Sequence, residues 1–317
     1  MLKDRKILVT GGAGFIGSHL VDELIRNNEV TVLDNFSHGR REHIQHHLND
    51  PRFRLVRQDL LEPLDEVVAG HDMVFHLAAN PDVKLGADDT SVHLEQNIVA
   101  THRLLEAMRR TGVDKIAFTS TSTVYGEASV VPTPEDYGPL KPISLYGSSK
   151  LSCEALISSY CHTFDMQSWI YRFANIVGQR GTHGVLVDFI RKLRQNPSEL
   201  EILGSGAQRK SYLEVRDCVR AMVHCVDSSS HEVNIFNIGS LDHISVTEIA
   251  DLVVEKMKLQ DVSYRYTGGI DGRGWKGDVK VMLLSIDALQ RTGWKPRHDS
   301  RRSVELAVEA LLEETAK

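Results

Sequence analysis

At 317 residues the chain is long enough for one large or two moderate domains with a self-sufficient core. A composition of 41% hydrophobic and 25% charged residues excludes a disordered or fibrous protein. The net charge of −6, from 37 Lys plus Arg against 43 Asp plus Glu, speaks against nucleic acid or an anionic membrane as partner. Apolar runs such as Ile7-Leu8-Val9 fall far short of the ~20 residues that span a bilayer. No apolar secretory leader is recognisable, so a cytoplasmic protein is expected.

In chain order, short apolar runs at 6–10, 29–34, 53–57, 72–77 and 115–120 read as strands, and the stretches between them mostly carry helical apolar faces. That alternation predicts a parallel sheet wrapped by helices. A long helix over 91–110 places Leu94, Ile98, Thr101, Leu105 and Met108 on one stripe. A second long helix is expected over 146–163, then a strand over 168–173. Beyond Asn175, turn-rich segments at 178–184 and 203–208 and a glycine-rich loop at 268–277 separate shorter elements. Ser245 with Glu248 is the signature of a capping box opening a helix over 246–257. The expected architecture is α/β: a Rossmann-type doubly wound parallel sheet over 1–174, which later strands can rejoin, and a smaller C-terminal α/β substrate-binding domain over 175–317.

Cys153, Cys161, Cys218 and Cys225 show no Cys-x-x-Cys pairing, which fits buried, reduced thiols. His43, His46 and His47 fall on one face of an expected helix. No carboxylate or thiolate lies at ligand spacing from them, so a solvated helical face and no metal are expected.

Gly11-Gly12-Ala13-Gly14-Phe15-Ile16-Gly17 joins the first strand to the first helix. Gly11 can take the tight turn, Gly14 lets the backbone approach a pyrophosphate, and Gly17 lets helix and strand pack closely. The helix start at Phe15 and Ile16 then faces the anion. Asp34, 17 residues past Gly17 and followed by Asn35, ends the second strand. Its carboxylate would accept hydrogen bonds from ribose hydroxyls and repel a 2′-phosphate, so NAD is expected rather than NADP.

The Gly-x-x-Gly-x-x-Gly spacing resembles the extended branch of the short-chain dehydrogenase/reductase superfamily. Further landmarks of that branch follow in order: Asp59-Leu60 after the third strand, His76-Leu77-Ala78-Ala79 after the fourth, and Asn97 in the long helix. The resemblance implies that Asp59 and Leu60 meet the adenine side of the cofactor, that Leu77, Ala78 and Ala79 line it, and that Asn97 helps fix the active-site geometry.

Tyr146 and Lys150, four apart at the start of a helix, share one face. A phenol of pKa near 10 needs a shift of about 3 units, roughly 4 kcal/mol, to act as a base at neutral pH. A nearby ammonium together with the positive nicotinamide of NAD⁺ is expected to supply it. The hydroxyl-rich segment from Thr119 to Gly126 resembles the family's strand end, where the catalytic hydroxyl lies four residues before the Tyr of Val-Tyr-Gly. That implies Thr121, with Ser122 as rival, as the group that holds the substrate oxygen.

Within the superfamily the chain resembles the NAD-dependent epimerase/dehydratase family. Sugar-nucleotide dehydratases of that family carry Asp-Glu directly after the catalytic Thr, whereas this chain has Ser122-Thr123. The resemblance is greatest to the UDP-hexose 4-epimerases, which implies oxidation and re-reduction at C4 of a UDP-sugar, UDP-galactose and UDP-glucose being the leading pair. A UDP-N-acetylhexosamine 4-epimerase, another nucleotide-sugar dehydratase or decarboxylase, and a non-catalytic NAD-binding sensor are the alternatives. By the same resemblance Asn175 contacts the substrate diphosphate and the loop around Thr182–Val185 lies against the nucleotide, with Lys210 or Arg209, Tyr212, Arg273 and Asp278 as further substrate-binding residues. Met282 stands where the family limits the sugar's C2 substituent. The helices over 91–110 and 146–163 resemble a pair that forms a homodimer interface.

Overall fold

The computed structural model describes residues 2–275 and 277–314. Its first half contains β1 (Lys6–Thr10), α1 (Phe15–Leu24), β2 (Glu29–Leu33), β3 (Phe53–Val56), α2 (Asp65–Val68), β4 (Met73–His76), α3 (Leu85–Asp88), α4 (Ser91–His93), α5 (Ala100–Thr111), β5 (Lys115–Thr121), α6 (Leu145–Phe164) and β6 (Gln167–Phe173). There follow β7 (Asn175–Val177), α7 (Val185–Gln195), β8 (Glu199–Ile202), β9 (Arg209–Lys210), β10 (Tyr212–Glu214), α8 (Val215–Ser228), β11 (Val233–Ile238), β12 (Ile244–Ser245), α9 (Val246–Lys256), β13 (Ser263–Tyr266), β14 (Val281–Met282), α10 (Asp287–Arg291) and α11 (Ser300–Glu314).

Seven strands form one sheet in the order β11-β6-β5-β4-β1-β2-β3. The pairs β1/β2, β1/β4, β2/β3 and β4/β5 are parallel, as the strand–helix alternation predicts. The order reverses between β1 and β4, and in such sheets ligands bind beyond the carboxyl ends of the strands at that reversal. Behind the sheet, Leu8, Val74 and Phe118 pack against Leu104, Leu105, Met108, Cys153 and Ile157 from α5 and α6. All four cysteines are buried thiols outside any disulfide among the described residues.

The chain divides into two compact units whose segments interleave. The first comprises Met1–Val124, Leu140–Arg172 and Val219–Phe236; the second comprises Tyr125–Pro139, Phe173–Cys218 and Asn237–Lys317. A single cut at residue 174 thus describes only one of the crossings. Residues 219–236 return to the first unit because β11 extends the sheet beside β6. Residues 125–139 join the second through Thr133, whose N–H donates to Leu283 O and whose carbonyl accepts from Ser285 N, both at 2.9 Å. The second unit has its own core, in which Leu186, Phe189, Ile190 and Leu193 of α7 meet Ile249 and Val253 of α9 and Val304 and Val308 of α11. The capping box is present: Ser245 Oγ accepts from Glu248 N at 3.1 Å and Glu248 Oε2 accepts from Ser245 N at 2.9 Å.

The expected helix over 91–110 is interrupted. Residues 94–99 form a π-helical stretch between α4 and α5. One wider turn shifts the helix face, so the stripe extrapolated from α5 fails at Leu94, which is 53% exposed, while Leu104 is fully buried. The segment bearing His43, His46 and His47 is also no single helix: it forms two short 3₁₀ turns over 41–43 and 45–47. His43 turns inward, its Nδ1 standing 3.0 Å from Ala13 O. Among the described residues no helix is long and apolar enough to cross a membrane.

Candidate active site

The glycine-rich turn after β1 has the shape a dinucleotide needs. Gly11 has φ +70°, and a Cβ there would stand 2.7 Å from Ala78 N. A Cβ on Gly17 would overlap Gly11 O, so turn and helix touch through backbone alone. Gly14 is the N-cap of α1, where no side chain caps the helix and no acidic residue occupies the first turn. Backbone N–H groups and the positive end of the helix dipole are thus left to an anion, with half-buried Phe15 and Ile16 beside them.

Asp34 is buried at the end of β2. Its Oδ2 accepts from Ala13 N at 2.9 Å and its Oδ1 from Phe36 N at 2.8 Å, which fixes the carboxylate against the glycine turn. Burial raises its pKa, and the two backbone donors work in the opposite direction. Asn35 Nδ2 donates to Asp59 Oδ2 at 2.7 Å, and Asp59 Oδ1 accepts from Leu61 N at 2.8 Å. Leu60 is buried; Leu77 and Ala78 are half-buried, their backbone N–H groups bonded to Thr10 at 3.1 and 3.3 Å, and Ala79 follows, half-buried. The donor set, the uncapped helix and the acid at the end of β2 fit NAD.

The helix start at Tyr146 packs on the hydroxyl-rich end of β5. A Cβ on Gly147 would stand 2.8 Å from Thr123 O, so only glycine allows that approach. Thr121 Oγ1 accepts from Thr123 N and from Thr123 Oγ1, each at 3.2 Å. Thr121 and Ser122 are both half-buried. Lys150 is buried, with Nζ 4.4 Å from the centre of the Phe118 ring.

Protonation here differs from the sequence expectation. Burial, aided by Cys153, pushes Tyr146 up to about 12, and burial brings Lys150 down to about 8 against the pull of Cys153 and Glu154. The expected lowering of the phenol is therefore not a property of the protein alone. Burial sets the direction for the phenol, and the expected lowering rests on the Lys150 ammonium together with the positive ring of NAD⁺.

Buried residues hold this face, the expected Asn97 and His76 among them and others that no motif singled out. Asn97, in the π stretch, accepts from Asn80 N at 2.8 Å and donates to Ser149 Oγ at 2.9 Å, which ties the β4 loop to the Tyr146 helix. His76 lies between Thr10 Oγ1 at 2.7 Å and Thr101 Oγ1 at 3.0 Å. Burial and the Lys150 charge hold it down to about 3, so it is neutral. His93 is buried with its ring centre 5.7 Å from that of Tyr146, edge to face. Glu154, two turns beyond Tyr146, accepts from Ser120 Oγ and pairs with Arg172 at 2.8 Å. The available signal was charge in an apolar setting: Glu154 lies on the inward stripe of α6 and Arg172 interrupts the apolar run Trp169-Ile170-Tyr171 before Phe173.

The second unit gathers most of the expected substrate-gripping residues. Lys210 Nζ is 2.5 Å from Asp278 Oδ1 and 5.3 Å from the centre of the Trp275 ring. Arg273 Nη1 donates to Asp278 O at 2.6 Å and pairs with Glu127 at 2.5 Å. Met282 pairs with Lys210 across β14/β9, on the same face. Arg209 points the other way along the strand and pairs with exposed Glu248 at 3.3 Å. Alternation along β9 thus separates the two candidate cations, and Lys210 is the one among Arg273, Asp278 and Met282. Asn175 and Tyr212 are partners in the β7/β10 ladder, Asn175 Nδ2 donating to Ser211 O at 3.2 Å. Tyr212 is buried, which raises its pKa. Val185 opens α7 and packs on the second core.

Comparison with known proteins agrees with this layout. A solved UDP-galactose 4-epimerase is 42% identical, covers 98% of this chain and 99% of its own, and superposes with a TM-score of 0.87. A UDP-glucose 4-epimerase of Corynebacterium glutamicum is 30% identical over 94% of this chain and 93% of its own length. UDP-glucuronic acid decarboxylase 4 of Arabidopsis thaliana is 31% identical over 96% of this chain and 68% of its own. The pattern of the NAD dependent epimerase/dehydratase family matches residues 7–239. With the glycine turn, the acid ending β2 and the Tyr146 helix all inside that span, the chain belongs to the NAD dependent epimerase/dehydratase family of nucleotide-sugar enzymes.

Proposed function

We propose that the chain is a UDP-hexose 4-epimerase that interconverts UDP-galactose and UDP-glucose, with Tyr146 as acid–base, Lys150 as its electrostatic partner and Thr121 as the hydroxyl that positions the substrate oxygen. The observation that carries the reading is the turn after Thr121. Ser122 and Thr123 offer no carboxylate to eliminate water, and Thr123 instead donates twice to Thr121 Oγ1, which fixes that hydroxyl beside the Tyr146 helix. Similarity to a UDP-galactose 4-epimerase across nearly the whole chain supports the same choice.

Bound NAD supplies a hydride acceptor for C4 of the sugar and then a donor. The chain's own residues do the rest. Tyr146, as a phenolate stabilised by the Lys150 ammonium, takes the C4 hydroxyl proton and, as a neutral phenol, returns it to the C4 oxygen once the keto sugar has turned over. Phe118, under the Lys150 ammonium, keeps that charge in place as a cation–π partner. Lys210, Arg273 and Asn175 hold the diphosphate, and Tyr212, Asp278 and Val185 support that grip. Met282, slender and flexible, faces the sugar. A firm hold on the diphosphate and a loose hold on the sugar is what turning the keto sugar requires.

In this reading the first unit binds NAD and the second binds the nucleotide sugar, and two copies pair through α5 and α6. Phe164, 43% exposed beneath the Arg109 guanidinium, is a surface suited to such pairing. The test is incubation of the purified chain with UDP-galactose and no added NAD, followed by chromatography. UDP-glucose as product supports the reading. A dehydrated 4-keto product, or pentose formation from UDP-glucuronic acid without any epimer, overturns it.

A further inference from the structure

His46 and His47 stand side by side, and the fold brings them a carboxylate from another element. Asp22 lies on α1, and its Oδ1 stands 2.9 Å from His46 Nε2 and 2.7 Å from His47 Nε2. One ligand atom from each of the three residues lies within 4.8 Å of the others. The arrangement is partly built: the His47 side chain is 13% exposed, its ring centre lies 5.7 Å from that of Phe53, and the two imidazole centres are 4.0 Å apart. His46, 47% exposed, leaves one side open to water.

Two imidazoles and one carboxylate converging from one side is a facial ligand set for a divalent transition metal. Neighbouring ligand atoms around an octahedral ion with bonds of about 2.1 Å lie roughly 3.0 Å apart. The two nitrogen–oxygen separations are already close to that value, so an ion enters by displacing the imidazole protons and opening those edges by a few tenths of an ångström. Magnesium and calcium ions, which take oxygen ligands, are poorly served by two nitrogens.

We propose that Asp22, His46 and His47 form a binding site for a divalent transition-metal ion of the nickel, cobalt or zinc class, its remaining positions filled by water. The ion pins the 45–47 turn to α1. The preceding turn is itself attached to the glycine-rich loop, because Arg40 N donates to Ala13 O at 2.9 Å and His43 Nδ1 lies 3.0 Å from the same oxygen. Metal binding therefore braces the segment that carries Gly11, Gly14 and Gly17, and does so whichever nucleotide sugar the enzyme converts.

The test uses the untagged full chain with its cofactor, titrated with nickel chloride in a non-chelating buffer by calorimetry, with thermal unfolding measured in parallel. One ion per chain and a raised melting temperature are expected. His46→Gln and Asp22→Asn should each weaken the affinity by about tenfold or more and remove the thermal shift, whereas His231→Gln, on a remote exposed histidine, should leave both unchanged. Magnesium chloride should give no saturable binding. Absence of saturable nickel binding by the parent chain, or affinity retained in both His46→Gln and Asp22→Asn, would overturn the assignment.

Discussion

Replacement of Glu154 by leucine tests how the catalytic face is held. The carboxylate is 5% exposed and takes bonds from Arg172 Nε at 3.1 and 3.2 Å and from Nη2 at 2.8 Å, with Arg172 itself only 4% exposed. Glu154→Leu strands the guanidinium in the interior without that carboxylate, at a cost of ~3–5 kcal/mol, and removes the acceptor of Ser120 Oγ, about 1 kcal/mol more. At ~2–4 °C per kcal/mol for a unit of this size, the melting temperature should fall by roughly 10 °C or more. Differential scanning calorimetry on the parent, both single variants and the double variant Glu154→Leu with Arg172→Leu closes the cycle. The double variant should recover most of the loss, because an apolar pair replaces an ion pair at modest cost. A Glu154→Leu melt within about 2 °C of the parent would refute the argument, as would losses that simply add.

Four further outcomes follow from the site. Tyr146→Phe should abolish most turnover in the coupled epimerase assay while NAD stays bound, as read by absorbance of the released cofactor; near-normal turnover would remove Tyr146 from the mechanism. Gly17→Ala, whose Cβ overlaps Gly11 O, should yield protein without copurifying NAD. Lys210→Ala should weaken UDP binding by about tenfold, in line with a charge-assisted bond of ~1.5–3 kcal/mol, and Arg209→Ala by less than about twofold; calorimetry that shows the reverse order would move the grip to the other face of β9. Burial brings Lys150 from 10.5 down to about 8, so between those values the unfolded chain binds more protons at this position than the folded one. Its contribution to stability therefore rises with pH across that window, and any stability advantage of Lys150→Met should shrink from about pH 7 to about pH 10.

What could be read from the sequence depended on how local the cause was. Strands with buried β-branched runs, the glycine turn, the capping box at Ser245 and the Tyr146–Lys150 spacing are set within a few residues, and each lies where the pattern placed it. The π stretch at 94–99 was not legible, because a single residue of extra turn leaves hydrophobic periodicity intact on both sides while rotating one against the other. Asp22 beside His46 and His47, Glu154 beside Arg172, and Glu127 beside Arg273 are encounters between distant segments. No spacing rule announces them. That Arg209 and Lys210 face opposite ways needed only the alternation of β9, and would have followed had that two-residue strand been recognised.

The π stretch also bears on how such a chain can vary over time. Asn97 and Thr101 lie one turn apart and meet α6 one turn apart, Asn97 at Ser149 Oγ and Thr101 at 3.3 Å from Cys153 Sγ. The wider turn re-aims the residues before Asn97, where Leu94 is exposed, and leaves this line of contacts intact. Substitutions at exposed Ser91 and Leu94 need not disturb the alignment of α5 on the sheet while Asn97 keeps its post.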